Sequence, residues 1–351
     1  MQPNSIDRRG FLQTAAGSLG IAKPAISFAA TEEKSKKKLQ PIRGSWFEFQ
    51  HCWTWEGGYW DPACAAFTCE QWKDKIAEIA EIGLEYLVLL SVAQDGKAFY
   101  ASKHIPLWKM GCADPLEAAL SAADERRIQF FVSSGFFDEK IGTLAGPEGV
   151  KKRLQAMEEI VERYGHHQCF YGWYWPNEAS INPYYADEFI HYCNECSAEA
   201  RKLTPKAKIL IAPYGTRFAK TDDRFVKQLE QMDVDIVAYQ DEVGVRKTRV
   251  DELDSIFERM RKAHDRVPQR ALWADMEIFT FEGETYKSNL IPAPFSRIEG
   301  QLTALSPYVD KILVYQYQGM MNKPGSKAFA GHPESTRLYS DYKDWLEKNR
   351  F

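Results

Sequence analysis

No stretch of the chain approaches the roughly 20 consecutive apolar residues that a membrane-spanning helix needs. No Gly-x-Gly-x-x-Gly follows a predicted strand and no Gly-Lys-Ser/Thr loop occurs, so nucleotide-binding α/β folds lose ground. Excess charge of one sign is missing too. A net charge of −4 leaves no electrostatic footprint for nucleic acid, and none is expected as a partner. Cysteine is sparse and odd in number, at 7, so at least one thiol lacks an intrachain partner. What the chain has in plenty is aromatic side chains: 10 Trp, 17 Tyr and 20 Phe among 351 residues that are 44% hydrophobic. Such a chain buries a sizeable core, which excludes disorder, and its length suits two ordinary domains or one large barrel.

The N-terminus carries Asp7-Arg8-Arg9-Gly10-Phe11-Leu12, then a weakly apolar stretch and a small-residue end at Ala29-Ala30. An Arg pair followed by Phe-Leu resembles a twin-arginine export signal, expected over residues 1–30, with the twin-arginine translocase as a transient partner and a periplasmic or secreted destination. Removing it takes away three cations and one anion (+2), leaving a mature chain near −6 (−4 minus +2). Residues 31–42, with Lys36-Lys37-Lys38, are expected to be a flexible linker, and 43–351 the folded domain. Cys52, Cys64, Cys69 and Cys112 fall in expected loops and are plausible disulfide partners. Cys193 and Cys196 share one helix face, are poorly placed to bond each other, and are expected as buried small hydrophobes.

Strand and helix patterns alternate eight times. Strands are expected at 44–50, 86–90, 128–133, 170–175, 208–212, 236–240, 271–277 and 311–316. Helices are expected at 70–82, 115–126, 149–164, 184–203, 223–232, 250–264, 295–305 and 334–348. Eight such units match a single-domain α/β fold, the (β/α)8 TIM barrel, whose chemistry sits at the C-terminal ends of the strands. An open doubly wound sheet is the alternative.

Reading those ends gives Gln50-His51, Ser91, Ser133-Ser134, Asn177-Glu178, Tyr214, Gln240-Asp241-Glu242, Glu277 and Tyr315-Gln316. Two of them place a carboxylate directly after an aromatic strand: Glu178 after Trp173-Tyr174-Trp175, and Glu277 after Trp273-Ala274-Asp275-Met276. Strands four and seven lie three steps apart around an eight-strand ring, so these acids can face each other across the mouth. Glycosidic cleavage needs such a pair, one carboxyl to protonate the leaving oxygen and one to attack or activate water. Neighbouring indoles would desolvate a carboxyl and stack on sugar faces.

Asn-Glu ending strand four with Glu ending strand seven resembles the large clan of retaining glycoside hydrolases built on TIM barrels. That resemblance implies Glu178 as acid/base, Asn177 as partner of a sugar hydroxyl, and Glu277 as nucleophile. From about Trp46 to Trp345 the chain also resembles a glycosidase-like barrel family called domain-of-unknown-function family 4434. The stretches that carry this are Gly172-Trp173-Tyr174-Trp175-Pro176-Asn177-Glu178, Ala212-Pro213-Tyr214, Tyr239-Gln240-Asp241-Glu242-Val243-Gly244 and Trp273-Ala274-Asp275-Met276-Glu277-Ile278-Phe279. The chain departs from the clan at strand two, which ends in Ser91 where an Arg is usual, and at strand eight, where Tyr315-Gln316-Tyr317 replaces Trp.

Asp241 is a third candidate catalytic acid, able to replace either Glu, or else it orders its own loop. Glu242 is expected to be solvated or paired with Arg246. Trp175 and Tyr214 are expected as sugar subsites, with Gln240, His51, Tyr315 and Gln316 as further substrate contacts, His51 being equally suited to a structural hydrogen bond. Trp53, Trp55, Tyr59 and Trp60 either form a stacking platform or cap the barrel mouth. His166-His167 has no carboxylate at ligand spacing and is expected to be solvated. The expected function is an exported glycoside hydrolase acting on an oligo- or polysaccharide with no cofactor and no metal. The alternatives are a non-catalytic carbohydrate-binding barrel and a metal-dependent sugar isomerase or epimerase.

Overall fold

The computed structural model describes residues 39–135 and 147–351. The expected export signal lies outside the described residues, as does most of the expected linker. Eight parallel strands close a barrel in which each pairs with its neighbours in sequence and the last pairs with the first. They are β1 (Ile42–Phe47), β2 (Tyr86–Leu89), β3 (Gln129–Ser133), β4 (Phe170–Trp175), β5 (Lys208–Ile211), β6 (Ile236–Gln240), β7 (Ala271–Glu277) and β8 (Lys311–Tyr315). Eight helices follow them in turn: α1 (Cys69–Glu81), α2 (Pro115–Arg126), α3 (Pro147–Tyr164), α4 (Asp187–Leu203), α5 (Asp223–Gln231), α6 (Val250–His264), α7 (Phe295–Leu305) and α8 (Ser335–Asn349). This is the (β/α)8 barrel.

Period-two alternation divides the strand residues between two layers. One side chain from each strand fills the barrel interior: Trp46, Val88, Phe131, Tyr174, Leu210, Ala238, Trp273 and Leu313, all buried. Their neighbours, among them Phe47, Leu87, Val132, Trp173, Trp175, Ile209, Val237 and Met276, pack outward against the helices. The interior is therefore a packed core on which the mouth rests. Gly172 is obligatory in that core, because a Cβ there would lie 2.3 Å from the Lys208 carbonyl oxygen and 2.7 Å from the Phe131 ring.

Helix starts follow their caps. Thr68 and Gln71 form a capping box at α1, Asp114 caps α2 ahead of Pro115, and Asp222 caps α5. The chain joins the barrel earlier than expected. Gln40 donates from Nε2 to the Ser306 and Val309 carbonyls at 2.8 and 2.7 Å, and β1 begins at Ile42. Residues 39–42 are thus part of the barrel and not linker. Of the four loop cysteines, Cys69 and Cys112 form a disulfide, while Cys52 and Cys64 are thiols. Cys69 opens α1 and Cys64 lies in a short helix, Asp61–Ala66, so neither sits in a loop. Cys193 and Cys196 are buried thiols, as expected. No helix among the described residues is long and apolar enough to cross a membrane.

Candidate active site at the barrel mouth

Alternation along β7 sends Trp273, Asp275 and Glu277 to the same inner face, each about 7 Å above the last. In register, Asp275 lies beside Gln240 of β6 and Leu313 of β8, and Glu277 beside Tyr315. Asp241 and Glu242 after β6 and Asp275 and Glu277 on β7 are all buried. Burial, then the charge of Asp241, pushes the Glu277 carboxyl up to about 8 against the pull of the Val245 N–H and Arg297. Glu277 Oε2 accepts that N–H at 2.8 Å. Burial likewise pushes Asp241 up to about 6. Asp275 is driven well above the ordinary range by burial and then by the charges of Glu277, Glu178 and Asp241. Among the described residues its Oδ1 has no hydrogen-bond partner. Glu178, half-buried, thus shares a field with Glu277 across the barrel, since both act on Asp275.

Backbone bonds fix the loops that carry these groups. Tyr214 N donates to the Ala179 carbonyl and Ile181 N to that of Tyr214, both at 2.9 Å, which ties the Asn177-Glu178 loop to β5. Asn177 is buried next to Glu178. The Lys247 ammonium lies 5.5 Å from the ring centres of both Tyr214 and Tyr286. Gln240 donates to the Ala212 carbonyl at 3.2 Å.

A second polar network stands at the ends of β1 and β8. Buried Glu48 accepts from Gln316 Nε2 at 2.7 Å, Trp60 Nε1 at 2.9 Å and the Tyr315 hydroxyl at 3.1 Å, and meets His51 Nδ1 at 3.1 Å. His51 Nε2 lies 3.2 Å from Glu56 Oε2. Burial opposes both charges, yet the two partners outweigh it: the carboxyl of Glu48 is held below its ordinary value and the imidazole of His51 well above its own. Asp61 accepts the His51 N–H at 2.8 Å and is raised to about 7 by burial and by the Glu48 charge. Gln316 Oε1 is buried with no partner among the described residues.

A family model described as Domain of unknown function (DUF4434) matches residues 42–328. The chain belongs to that family. Compared with curated proteins by sequence, it matches none. Among solved structures it is similar to a candidate α-L-fucosidase from Bacteroides thetaiotaomicron VPI-5482, with TM-score 0.68 and 18% identity over 92% of this chain and 99% of that one. It is also similar to the catalytic domain of the major endoglucanase from Xanthomonas campestris pv. campestris, with TM-score 0.55 and 12% identity over 90% and 98% of the two chains. A β-galactosidase from the haloarchaeon Halorubrum lacusprofundi gives TM-score 0.57 and 12% identity over 88% of this chain, which spans 58% of that enzyme. These likenesses establish a glycosidase-like barrel fold.

Several expected roles change in this DUF4434 barrel. Trp175 is no sugar subsite: alternation turns it outward with Trp173, and its Nε1 donates to Ser197 of α4 at 3.2 Å. Asp241 orders its loop. Its Oδ1 accepts from Val243 N and Glu277 N at 3.2 and 3.1 Å, and its Oδ2 from Gln301 of α7 at 2.6 Å. Both oxygens are occupied, so Asp241 acts on Glu277 through position and charge. Glu242 is neither solvated nor paired with Arg246; it is buried, accepts from Gly215 N at 3.0 Å and has Lys247 at 3.9 Å. His167 is buried between two acids and not solvated. The Trp cluster divides. Trp60 is core, whereas Trp53 and Trp55 pair at 5.1 Å on the rim with Trp55 47% exposed.

Glu48 and Asp275 were not singled out in the sequence as residues of the mouth, and the same signal finds both. Counting in twos from the interior residues Trp46 and Trp273 reaches Glu48, Asp275 and Glu277.

Proposed function

We propose that this protein is an exported glycoside hydrolase that cleaves an oligo- or polysaccharide with the carboxyl pair Glu178 and Glu277. The observation that carries this is Glu277, buried on the inner face of β7 with its carboxyl raised by burial, and Glu178 at the end of β4, both near enough to Asp275 to raise it. Arg297, whose charge pulls the Glu277 carboxyl back down, spends its guanidinium on the Glu277 and Phe279 carbonyls at 2.7 and 2.8 Å. A carboxyl on either side of a bound sugar supplies the acid and the nucleophile of a double displacement. Glu178 gives its proton to the leaving oxygen as the glycosidic bond breaks and a Glu277 oxygen bonds the anomeric carbon. Glu178 then takes a proton from the water that releases the sugar. Asn177, Gln240, Tyr214, Tyr315, Gln316 and the His51 network line the mouth as hydroxyl partners, and Trp53 and Trp55 offer a face for stacking.

Glu277 holds a proton at neutral pH in the empty site, and that proton must leave before the carboxylate attacks. Turnover is therefore expected to rise with pH toward about 8, the range in which Glu277 ionises. A falling limb over that range would exchange the two roles, making Glu277 the proton donor. Reducing-end release from a panel of neutral and acidic glycans tests the activity itself. Binding with no product after long incubation would leave a carbohydrate-binding barrel in its place.

Export through the twin-arginine translocase to the periplasm belongs to the same proposal. The Cys69–Cys112 disulfide supports it, since such bonds persist in oxidising compartments. Replacing Arg8 and Arg9 together by Lys is expected to leave the protein in the cytoplasmic fraction; an unchanged periplasmic yield would refute this route.

A further inference from the structure

The loop between α3 and β4 enters the barrel at the end opposite the mouth, and it carries His166 and His167 against α2. Along α2, Glu117, Ser121 and Asp124 follow at i, i+4 and i+7, so all three present to one side. Asp124 Oδ2 lies 2.7 Å from His167 Nδ1, and its Oδ1 accepts the Cys169 N–H at 2.6 Å. His167 Nε2, at the other side of the ring, faces Glu117 Oε2 at 3.3 Å. Glu117 is aimed in the same way. Ser121 donates to its Oε1 at 2.8 Å, which presents Oε2 to the imidazole. The exposed ring of His166 lies over that of His167 with centroids 4.3 Å apart.

We propose that Glu117, His166 and His167 form a divalent-metal site of zinc type that ties α2 to the α3–β4 loop. Their ligand atoms all lie within 4.8 Å of one another. Zinc holds such atoms at roughly 2.0–2.2 Å, so exposed His166 would turn toward the other two on binding. Two imidazoles and a carboxylate suit zinc over calcium or magnesium, and water completes the tetrahedron. Asp124 is a positioning residue: a carboxylate that takes the far ring N–H of a histidine is the recurrent outer partner of a metal-bound imidazole. Cys169 also falls within reach of Asp124 and His167 but is no ligand. Its Sγ is turned to the Leu120 carbonyl, to which it donates at 3.3 Å.

The test is titration of tag-free, chelator-treated full-length protein with zinc chloride, by calorimetry and by thermal melting. The expected result is one ion per chain and a raised Tm, with at least tenfold weaker binding in His166→Ala and in Glu117→Gln. Both positions are at the surface of the fold, so both variants should melt as the metal-free wild type does. Asp124→Asn is expected to weaken zinc by roughly 10–100-fold without removing the stoichiometric site. No stoichiometric binding by the wild type overturns the proposal and leaves His167 a doubly hydrogen-bonded structural residue. Unchanged binding by His166→Ala overturns it too, since the ion would then sit elsewhere.

Discussion

Glu277 is where the chemistry and the stability of this barrel oppose each other. A carboxyl whose folded-state pKa lies above its unfolded value favours the native state only while protonated. Its contribution is complete below about 4.5, the ordinary value, and drains away as the pH climbs to about 8. Over that interval the wild type is expected to lose on the order of 2–4 kcal/mol through this one group. Glu277→Gln keeps an acceptor for the Val245 N–H and cannot ionise, so its Tm advantage over the wild type should widen by several degrees from pH 5 to pH 8.5. A gap that stays constant with pH would contradict the burial argument. The places of Glu178 and Glu277 at the ends of β4 and β7 were legible in the sequence because each closes an aromatic strand. Glu48 was not, since the first strand was expected to run on to Gln50, which made a mouth residue look like strand interior. Trp175 misled for the complementary reason. Proximity to Glu178 in sequence suggested proximity in space, while a strand alternates its faces and set it among the helices.

The elements themselves were legible almost to the residue where caps and patterns agree. β4, β6, β7, α2, α6 and α7 have the expected bounds, with Asp114-Pro115 marking one start and Phe295 another. Cysteine pairing was not legible, because four candidate cysteines allow several connectivities and only the fold brings two Cα atoms within 4.7 Å. That disulfide closes a 43-residue separation between the start of α1 and the segment before α2. Reduction, or Cys69→Ser with Cys112→Ser, is expected to cost about 2–4 kcal/mol in denaturant unfolding. An unchanged midpoint would mean that packing alone fixes this corner. The rim loop after β1 makes a prediction of its own. Trp55 donates its Nε1 to the Tyr286 carbonyl at 3.1 Å, so its ring stands at the edge of the mouth on a hydrogen-bonded base. Trp55→Ala is expected to raise KM for extended glycans roughly two- to tenfold, the worth of one aromatic contact, with kcat unchanged. Equal loss on short and long substrates would remove it from the binding surface.

For the molecule as a whole, eight repeats of one pattern wrote the barrel into the chain, and the barrel turned scattered acids into a site. The charge interplay of Asp241, Asp275 and Glu277 was not legible, because it depends on burial and on register between β6, β7 and β8. The neighbourhood of His167 was hidden for a related reason, since its acids come from α2, more than 40 residues earlier. The central claim is that Glu178 and Glu277 work as a pair. It is tested most directly by kcat for Glu178→Gln and Glu277→Gln on whichever glycan the wild type hydrolyses, with Tm measured on the same samples. Both variants are predicted to remain folded and to lose turnover by roughly 10²–10⁴. Full turnover in either folded variant would contradict the pairing.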